Sequence, residues 1–324
     1  MKVLVTGGAG FLGQRLARQL LTQGQLTDSA GQLQAITELV LVDVVPAHDF
    51  GDARVTVVTG DIADGVLMRA TIDADTASIF HMAAIVSGQA EADFELGMRI
   101  NLDASRLLLD ICRELGHKPK VVFTSSVAVY GGQLPEVVQD STALNPQSSY
   151  GTQKAIGELL LNDYSRRGFV DGRVLRLPTI SVRPGKPNKA ASSFASGIIR
   201  EPLNGEAAVC PVGTDLRLWL LSPRGAIASL IAGHELPGAA FGASRTVNPP
   251  GLSVSVGEMI AALDEVAGSD VTARISHAPD AAVERIVRSW PGAWDTKRAA
   301  ALGLTADADF VAIIRAYVDD QKAA

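Results

Sequence analysis

Short apolar runs recur along the first half of the chain and alternate with stretches of helical periodicity. The runs are continuously apolar, a pattern typical of parallel strands that are covered on both faces. They are VLVT (3–6), ELVLVD (38–43), VTVVTG (55–60), SIFHMA (78–83), KVVFTS (120–125) and GRVLRLP (172–178). This βαβ rhythm predicts an α/β fold of the Rossmann type, with a doubly wound parallel sheet.

Between the strands, the pattern predicts one long amphipathic helix over residues 91–115 and another over 149–168. The polar stretch 23–34 predicts a loop in the first crossover. After residue 178 the texture changes, and RPGKPNKAASSF (183–194) has the composition of a loop at a ligand mouth.

The chain is therefore predicted to divide into two parts. Residues 1–178 form the sheet domain, and residues 179–324 form mainly a smaller, discontinuous C-terminal lobe. A segment at about 216–248 is expected to return to the first domain.

Composition describes an ordinary globular protein of 324 residues, 47% hydrophobic and 20% charged. The formal net charge of −6, with no Lys/Arg-rich segment, argues against binding to nucleic acid or to an anionic membrane. No apolar run approaches the roughly 20 residues needed to span a bilayer. Met1 leads directly into the first strand, so we expect no signal peptide and a cytoplasmic location.

Three residues of types that often carry chemistry are given no such role. Cys112 and Cys210 are far apart and belong to no CxxC or Cys/His cluster, which predicts two reduced, buried thiols and no metal site. His81 closes the fourth strand, where a single histidine is more often a hydrogen-bonded packing residue than a catalytic base.

A glycine-rich turn follows the first strand and precedes a helix, in the segment KVLVTGGAGFLG (2–13). Glycines at this point let the backbone approach a pyrophosphate, and the helix N-terminus stabilises its negative charge. The sequence thus predicts a dinucleotide site in the first domain. The residues predicted to form the cradle are Gly7, Gly10, Phe11, Leu12 and Gly13.

Acidic residues at strand ends indicate which dinucleotide is bound. Asp43 ends the second strand, where a carboxylate can accept hydrogen bonds from the ribose hydroxyls. It would repel a 2′-phosphate, and residues 44–47 contain no compensating arginine, so NAD is favoured over NADP. Asp61 and Ile62 after the third strand are placed to flank the adenine, and the small Ala83 permits close approach of the cofactor.

Tyr150 and Lys154 lie one helical turn apart on one helix face. Tyrosine normally has a pKa of about 10, and a nearby ammonium favours the phenolate that can accept a proton. Ser125 and Ser126 end the fifth strand, at the sheet edge where open α/β sheets place their active sites. Together these residues predict hydride transfer between an alcohol and a nicotinamide cofactor.

With these segments the chain resembles the extended short-chain dehydrogenase/reductase family, which includes nucleotide-sugar epimerases and dehydratases. The resemblance implies that Ser126 hydrogen-bonds the reacting oxygen and that Tyr150 accepts its proton. It also implies that Lys154 lowers the pKa of Tyr150 and binds the nicotinamide ribose, while Asn101 holds a water nearby. Family members often pair as homodimers through the two long helices. The matching segments are TGGAGFLG, Asp43, GDI (60–62), HMAA (81–84), MRIN with Asn101, SSVAVYG and Tyr150–Lys154.

The second half departs from the nucleotide-sugar pattern. Arg217 matches that pattern, but Ser-Pro-Arg at 222–224 replaces its acidic motif. The segments LPTISVRPGKPNKAASSFASGIIREPL, RLWLLSPR and IVRSWPGAWDTKRA are instead similar to D-erythronate dehydrogenases, a group of NAD-dependent enzymes that act on small sugar acids.

A small sugar acid needs a cation for its carboxylate and polar donors for its hydroxyls, and a bidentate arginine suits a carboxylate. Which arginine serves is left open by the sequence. The candidates in or near the mouth are Arg183, Lys186, Asn188, Ser192 and Arg217, beside Ser126 and Tyr150.

The predicted activity is NAD-dependent oxidation of the C2 hydroxyl of D-erythronate, or of a close sugar acid, to the 2-oxo acid. The first alternative is a nucleotide-sugar 4-epimerase or dehydratase, which would use the same catalytic residues and release no NADH. The second is a non-catalytic NAD-sensing regulator, which would have no need of Ser126, Tyr150 and Lys154 together.

Overall fold

The computed structural model describes residues 1–322 of the chain. Its strands, in chain order, are β1 (Lys2–Thr6), β2 (Gln25–Thr27), β3 (Leu33–Ala35), β4 (Glu38–Asp43), β5 (Val55–Thr59), β6 (Thr76–His81), β7 (Lys120–Ser126), β8 (Asp171–Leu177), β9 (Thr179–Ile180), β10 (Ala208–Cys210), β11 (Arg217–Leu221), β12 (Thr246–Val247), β13 (Leu252–Ser255) and β14 (Ile275–His277). Its α-helices are α1 (Phe11–Gln23), α2 (Gly65–Thr71), α3 (Ser87–Ala92), α4 (Phe94–Gly97), α5 (Ala104–Leu115), α6 (Ser149–Arg166), α7 (Phe194–Leu203), α8 (Pro223–Glu235), α9 (Val256–Ala267), α10 (Ser269–Thr272), α11 (Ala281–Arg288), α12 (Lys297–Ala301) and α13 (Phe310–Lys322).

Seven strands form a parallel sheet in the spatial order β12-β8-β7-β6-β1-β4-β5. The chain builds outward from β1 to β5 and then places β6 on the other side of β1. Helices α1 and α8 cover one face, and α2, α5 and α6 cover the other. The predicted doubly wound Rossmann-type sheet is confirmed. Its order reverses between β1 and β6, and a ligand crevice is expected beyond their carboxyl ends.

The helix predicted over 91–115 is interrupted. Asp93 leaves the helical conformation (φ −133°, ψ 87°), and its side chain accepts a hydrogen bond from the Leu96 amide at 3.0 Å to cap α4. A π-helical segment, Met98–Asp103, then joins α4 to α5. The apolar periodicity continues through both features, but a short acidic side chain competes for the backbone locally.

The polar stretch 23–34 also differs from the prediction of a loop. It contributes most of an antiparallel hairpin, β2–β3, which docks on the main domain. The Thr27 amide donates to the Glu235 carboxylate at 3.1 Å, and Lys120 Nζ donates to the Thr27 hydroxyl. Strands of three residues are too short to show a period in the sequence. The contacts that hold them in place come from residues far away along the chain.

The smaller lobe has its own apolar core, formed with α7, α9, α11, α13, β10 and β11. Strand β11 pairs with β9 and β13, just beyond the end of β8. Helix α8 and strand β12 return to the main sheet, where β12 pairs with β8. Within residues 1–322, no helix is both long enough and apolar enough to cross a membrane.

Candidate active site

A cleft opens at the carboxyl ends of the central strands, between the sheet domain and the smaller lobe. Most of the predicted cradle, catalytic and mouth residues meet there, whereas Asn101, Lys186 and Arg217 lie outside its lining. Among the lining residues are Gly7, Gly10, Phe11, Leu12, Gly13, Ser126, Tyr150, Lys154, Arg183, Asn188, Ser192 and Trp290.

The glycine turn places backbone where a side chain could not fit. Gly7 has a φ of +73°, and its amide donates to the Val42 carbonyl at 2.8 Å. A Cβ on Gly13 would lie 2.1 Å from the Gly7 carbonyl oxygen. Within residues 1–322, no side chain caps the first turn of α1, so its amides are left for an anion. This cradle fits the diphosphate of NAD.

Replacing Gly13 with alanine should therefore weaken cofactor binding. The added methyl forces the turn to open, and we expect a loss of about 10- to 100-fold in NADH affinity, matching the ~1–3 kcal/mol typical of overpacking. Energy transfer from tryptophan to NADH can measure it, because Trp290 borders the cleft. Gly65→Ala is the control, since its new methyl meets nothing nearer than Leu107 at 3.9 Å. Equal NADH affinity in both variants would contradict the assignment of the glycine turn as the dinucleotide site.

The predicted cofactor residues Asp43, Asp61, Ile62 and Ala83 lie at or just beyond the ends of β4, β5 and β6, strands that lie to either side of β1. Asp43 Oδ2 accepts a hydrogen bond from the Ala9 amide at 3.1 Å, which places the carboxylate beside the cradle. The Asp61 carboxylate accepts from the Ala63 amide and pairs with Arg99 at 2.5 Å, and Ile62 is buried next to it. The Ala83 amide donates to the Thr6 hydroxyl at 3.2 Å, directly opposite Gly7.

Tyr150 lies in the first turn of α6, within hydrogen-bonding reach of Ser126 at the end of β7. Burial raises the pKa of Tyr150 to about 12, whereas the Ser126 hydroxyl and the Arg183 cation each lower it. The resemblance implies that Lys154 also lowers this pKa, and that role stays a prediction. Tyr150 is thus a protonated phenol at neutral pH until further positive charge enters the cleft.

Lys154 is buried one turn further along α6. Its Nζ lies 4.6 Å from the centre of the Phe123 ring and 5.8 Å from that of Tyr150. Burial lowers the pKa of Lys154 to about 7, and the Glu158 carboxylate opposes that shift. The ammonium is therefore easily gained and lost near neutral pH.

Asn101 lies in the π-helical segment, and its amide is committed to protein partners. Oδ1 accepts from the Ile85 amide at 2.7 Å, and Nδ2 donates to the Ile85 carbonyl at 3.0 Å and to Gln153 Oε1 at 2.8 Å. Asn101 thus ties the segment after β6 to α6, beside Lys154. Its water-holding role stays a prediction.

His81 matches its prediction as a packing residue. Its ring nitrogens contact the hydroxyls of Thr6 at 2.7 Å and Ser105 at 2.8 Å, deep in the fold. Burial, with a contribution from the Lys154 charge, lowers the pKa of His81 to about 3. A neutral, fully engaged imidazole cannot exchange protons with the cleft.

The structure separates the two candidate arginines. Arg183 lines the cleft, and within residues 1–322 its Nη2 is buried without a hydrogen-bond partner. Burial, and then the nearby Arg200, lowers the pKa of Arg183 to about 10. Arg217 instead pairs with Glu258 at 2.9 Å, in a second depression shared with Arg288.

The other predicted mouth residues also differ in whether they line the cleft. Asn188 and Ser192 line the cleft, whereas Lys186 is exposed on the loop. The sequence did not single out Ser87, Thr179 or Trp290, which also line it. Thr179 and Trp290 lie within segments quoted above for their resemblance, whereas no motif marks Ser87.

Known proteins of similar sequence identify the family of this chain. Residues 3–222 match the model of the NAD dependent epimerase/dehydratase family. The chain belongs to this family. A D-erythronate dehydrogenase from Cupriavidus necator is 66% identical over 99% of the chain and 98% of the relative, and one from Haemophilus influenzae is 48% identical over 98% and 99%.

Among solved structures of the family, one described as the nucleoside-diphosphate-sugar epimerase from Agrobacterium tumefaciens is 43% identical. It covers 100% of this chain and 95% of its own, with a TM-score of 0.93. The resemblance to an epimerase/dehydratase family predicted from the motifs is confirmed. These two descriptions imply different chemistry on the same fold.

Proposed function

We propose that the protein oxidises the C2 hydroxyl of D-erythronate, or of a close small sugar acid, to the 2-oxo acid with NAD as acceptor. The names of the 66% and 48% identical relatives support this proposal, since both align over nearly their whole length. The cleft supports it independently through the chemistry of its residues.

The observation that carries the proposal is the position of Arg183. Its guanidinium is close enough to Tyr150 for each to shift the pKa of the other, and one terminal nitrogen is buried and unpartnered within residues 1–322. A 2-hydroxy acid has its carboxylate on the carbon next to the alcohol. Arg183 and Tyr150 can therefore bind these two groups at once, with a charge-assisted hydrogen bond to the carboxylate.

Bound NAD would supply the acceptor for the hydride that leaves C2. Tyr150 takes the proton of the substrate hydroxyl onto its phenolate oxygen. Ser126 hydrogen-bonds the substrate oxygen and orients it. Arg183 stabilises the phenolate and holds the carboxylate. Lys154 would bind the nicotinamide ribose, and Asp43 would accept hydrogen bonds from the adenosine ribose and disfavour a 2′-phosphate.

A nucleotide-sugar 4-epimerase or dehydratase is the second candidate, favoured by the description of the Agrobacterium tumefaciens structure. Such a substrate carries a diphosphate, and Arg217 is the residue that matches the nucleotide-sugar pattern. Its guanidinium already lies on the Glu258 carboxylate at 2.9 Å and on the Ser253 hydroxyl at 3.2 Å. Arg288 is likewise paired, with Asp215 and Glu284. This pairing weakens the case for a diphosphate.

The test is NADH formation with a panel of four-, five- and six-carbon sugar acids, alongside a nucleotide sugar. We expect turnover on D-erythronate with NAD and little with NADP. If no sugar acid gives NADH and the nucleotide sugar is epimerised, the proposal is contradicted and the second candidate is favoured.

We also propose a homodimer paired through α5 and α6. These helices lie on one face of the sheet, and nearby Leu159 and Phe94 expose 67% and 55% of their surface. Leu159→Arg should convert a dimer to a monomer in light scattering, because a charge cannot be buried unpaired at such an interface. Val209→Arg, at the exposed position of β10, is the matched control and should leave the mass unchanged. A wild-type mass of one chain would contradict the proposal.

A further inference from the structure

A buried ion pair lies behind Lys154. Glu158 follows Lys154 by one turn of α6, and its side chain is 2% exposed. Its carboxylate accepts hydrogen bonds from two nitrogens of Arg176 on β8, Nε at 2.9 Å and Nη2 at 2.6 Å. It also accepts a hydrogen bond from the Ser125 hydroxyl. One buried anion thus contacts the residue next to Ser126 and lies one turn from Lys154.

The surroundings of Lys154 contain few other charges. Helix α6 contributes Tyr150 and Glu158, β6 contributes the neutral His81, and β7 contributes the uncharged ring of Phe123. Beyond Glu158, β8 contributes Arg176. Since burial disfavours an ammonium, the protonation of Lys154 depends on how much negative field Glu158 retains after pairing with Arg176.

We infer that Glu158 is a positioning residue whose carboxylate keeps Lys154 charged and, through Ser125, fixes the end of β7 from which Ser126 reaches the cleft. Arg176 sets the strength of this effect, because it neutralises part of the carboxylate charge. The inferred consequence for turnover rests on the proposed function, but the effect on Lys154 does not.

Two substitutions should move the titration of Lys154 in opposite directions. Glu158→Gln keeps the hydrogen-bonding shape but removes the anion, so the midpoint should fall from about 7. Arg176→Gln removes the competing cation, so the midpoint should rise. We expect each shift to be about one pH unit, a tenfold change in the protonation equilibrium. Glu158→Asp keeps the charge and should restore most of the wild-type value.

The midpoint can be followed in the free protein by NMR of lysine labelled with ¹³C at Cε, with Lys154→Arg identifying the signal. Shifts of opposite sign support the inference. Midpoints that stay unchanged, or that move in the same direction in both variants, overturn it. If Glu158→Gln does not fold, Arg176→Gln decides alone, since a rise supports the inference and no rise overturns it.

Kinetics then tests the link to turnover. In Glu158→Gln we expect kcat to fall about tenfold or more with a smaller change in KM, because the residue acts on the proton acceptor's neighbour and not on substrate binding. Opposite NMR shifts without turnover of any sugar acid would leave the inference standing and remove the proposed function. Turnover that is unchanged in Glu158→Gln would overturn the link.

Discussion

Tyr150→Phe should abolish NADH formation while leaving NADH binding nearly unchanged. The substitution removes the oxygen that accepts the substrate proton, and proton transfer of this kind contributes about 10²- to 10⁴-fold to a rate. The ring stays in place over Lys154, so the cradle at the glycine turn keeps its shape. Steady-state turnover and energy transfer from tryptophan to bound NADH separate the two effects.

The matched control is Tyr164→Phe on the same helix. Its hydroxyl donates to Asp110 at 2.8 Å, away from the cleft residues, so only that hydrogen bond is lost. We expect nearly wild-type kcat. Loss of NADH binding by a folded Tyr150→Phe protein would contradict the catalytic role of Tyr150 and indicate a structural one.

Arg183→Met should produce the largest loss of selectivity. Removing one partner of a desolvated charge pair costs about 2–5 kcal/mol, so kcat/KM for the sugar acid should fall about 10²- to 10³-fold. Arg183 also acts on Tyr150, which would slow any alcohol. The informative quantity is therefore the ratio of kcat/KM for the acid to that for the neutral polyol of the same length.

In the wild type this ratio should strongly favour the acid, and in Arg183→Met it should approach unity. Arg183→Lys should recover only part of it, because an ammonium lacks the planar fork that matches a carboxylate. The competing assignment gives the carboxylate to Arg217, and Arg217→Met tests it. We expect a smaller effect from this substitution because the Arg217 guanidinium is already paired with Glu258. A larger loss of the ratio in Arg217→Met would contradict the choice of Arg183.

The elements that the sequence predicts well are those with local physical signals. The strands of the parallel sheet are continuous apolar runs, and the cradle depends on glycines at which a methyl cannot fit. Tyr150 and Lys154 share a helix, so their spacing alone brings them to one face. Ser126 follows from the rule that parallel strands present their carboxyl ends at one edge.

The remainder depends on contacts between distant segments. The sequence leaves open which of Arg183 and Arg217 binds the carboxylate, and the position of Glu258 on α9 shows that Arg217 is paired. In the part of the chain that the structure describes, Arg183 Nη2 is buried without a hydrogen-bond partner. Trp290 reaches the cleft from the C-terminal lobe. A side-chain hydrogen bond accompanies the break at Asp93, and contacts with Glu235 and Lys120 tie the hairpin β2–β3 to the main domain. No periodicity records these contacts.

The return of β12 to the main sheet bears on how the protein is made. Val174 pairs with Thr246, and α8 packs on the same sheet. The first domain therefore cannot complete its edge until the chain beyond residue 247 has left the ribosome. The lobe elements α7, β10 and β11 emerge while that edge is still open. Pairings of such sequence separation form slowly and leave strand edges exposed to aggregation. Fragments ending near residue 178 should therefore be poorly folded and prone to aggregation, although they contain the whole glycine cradle.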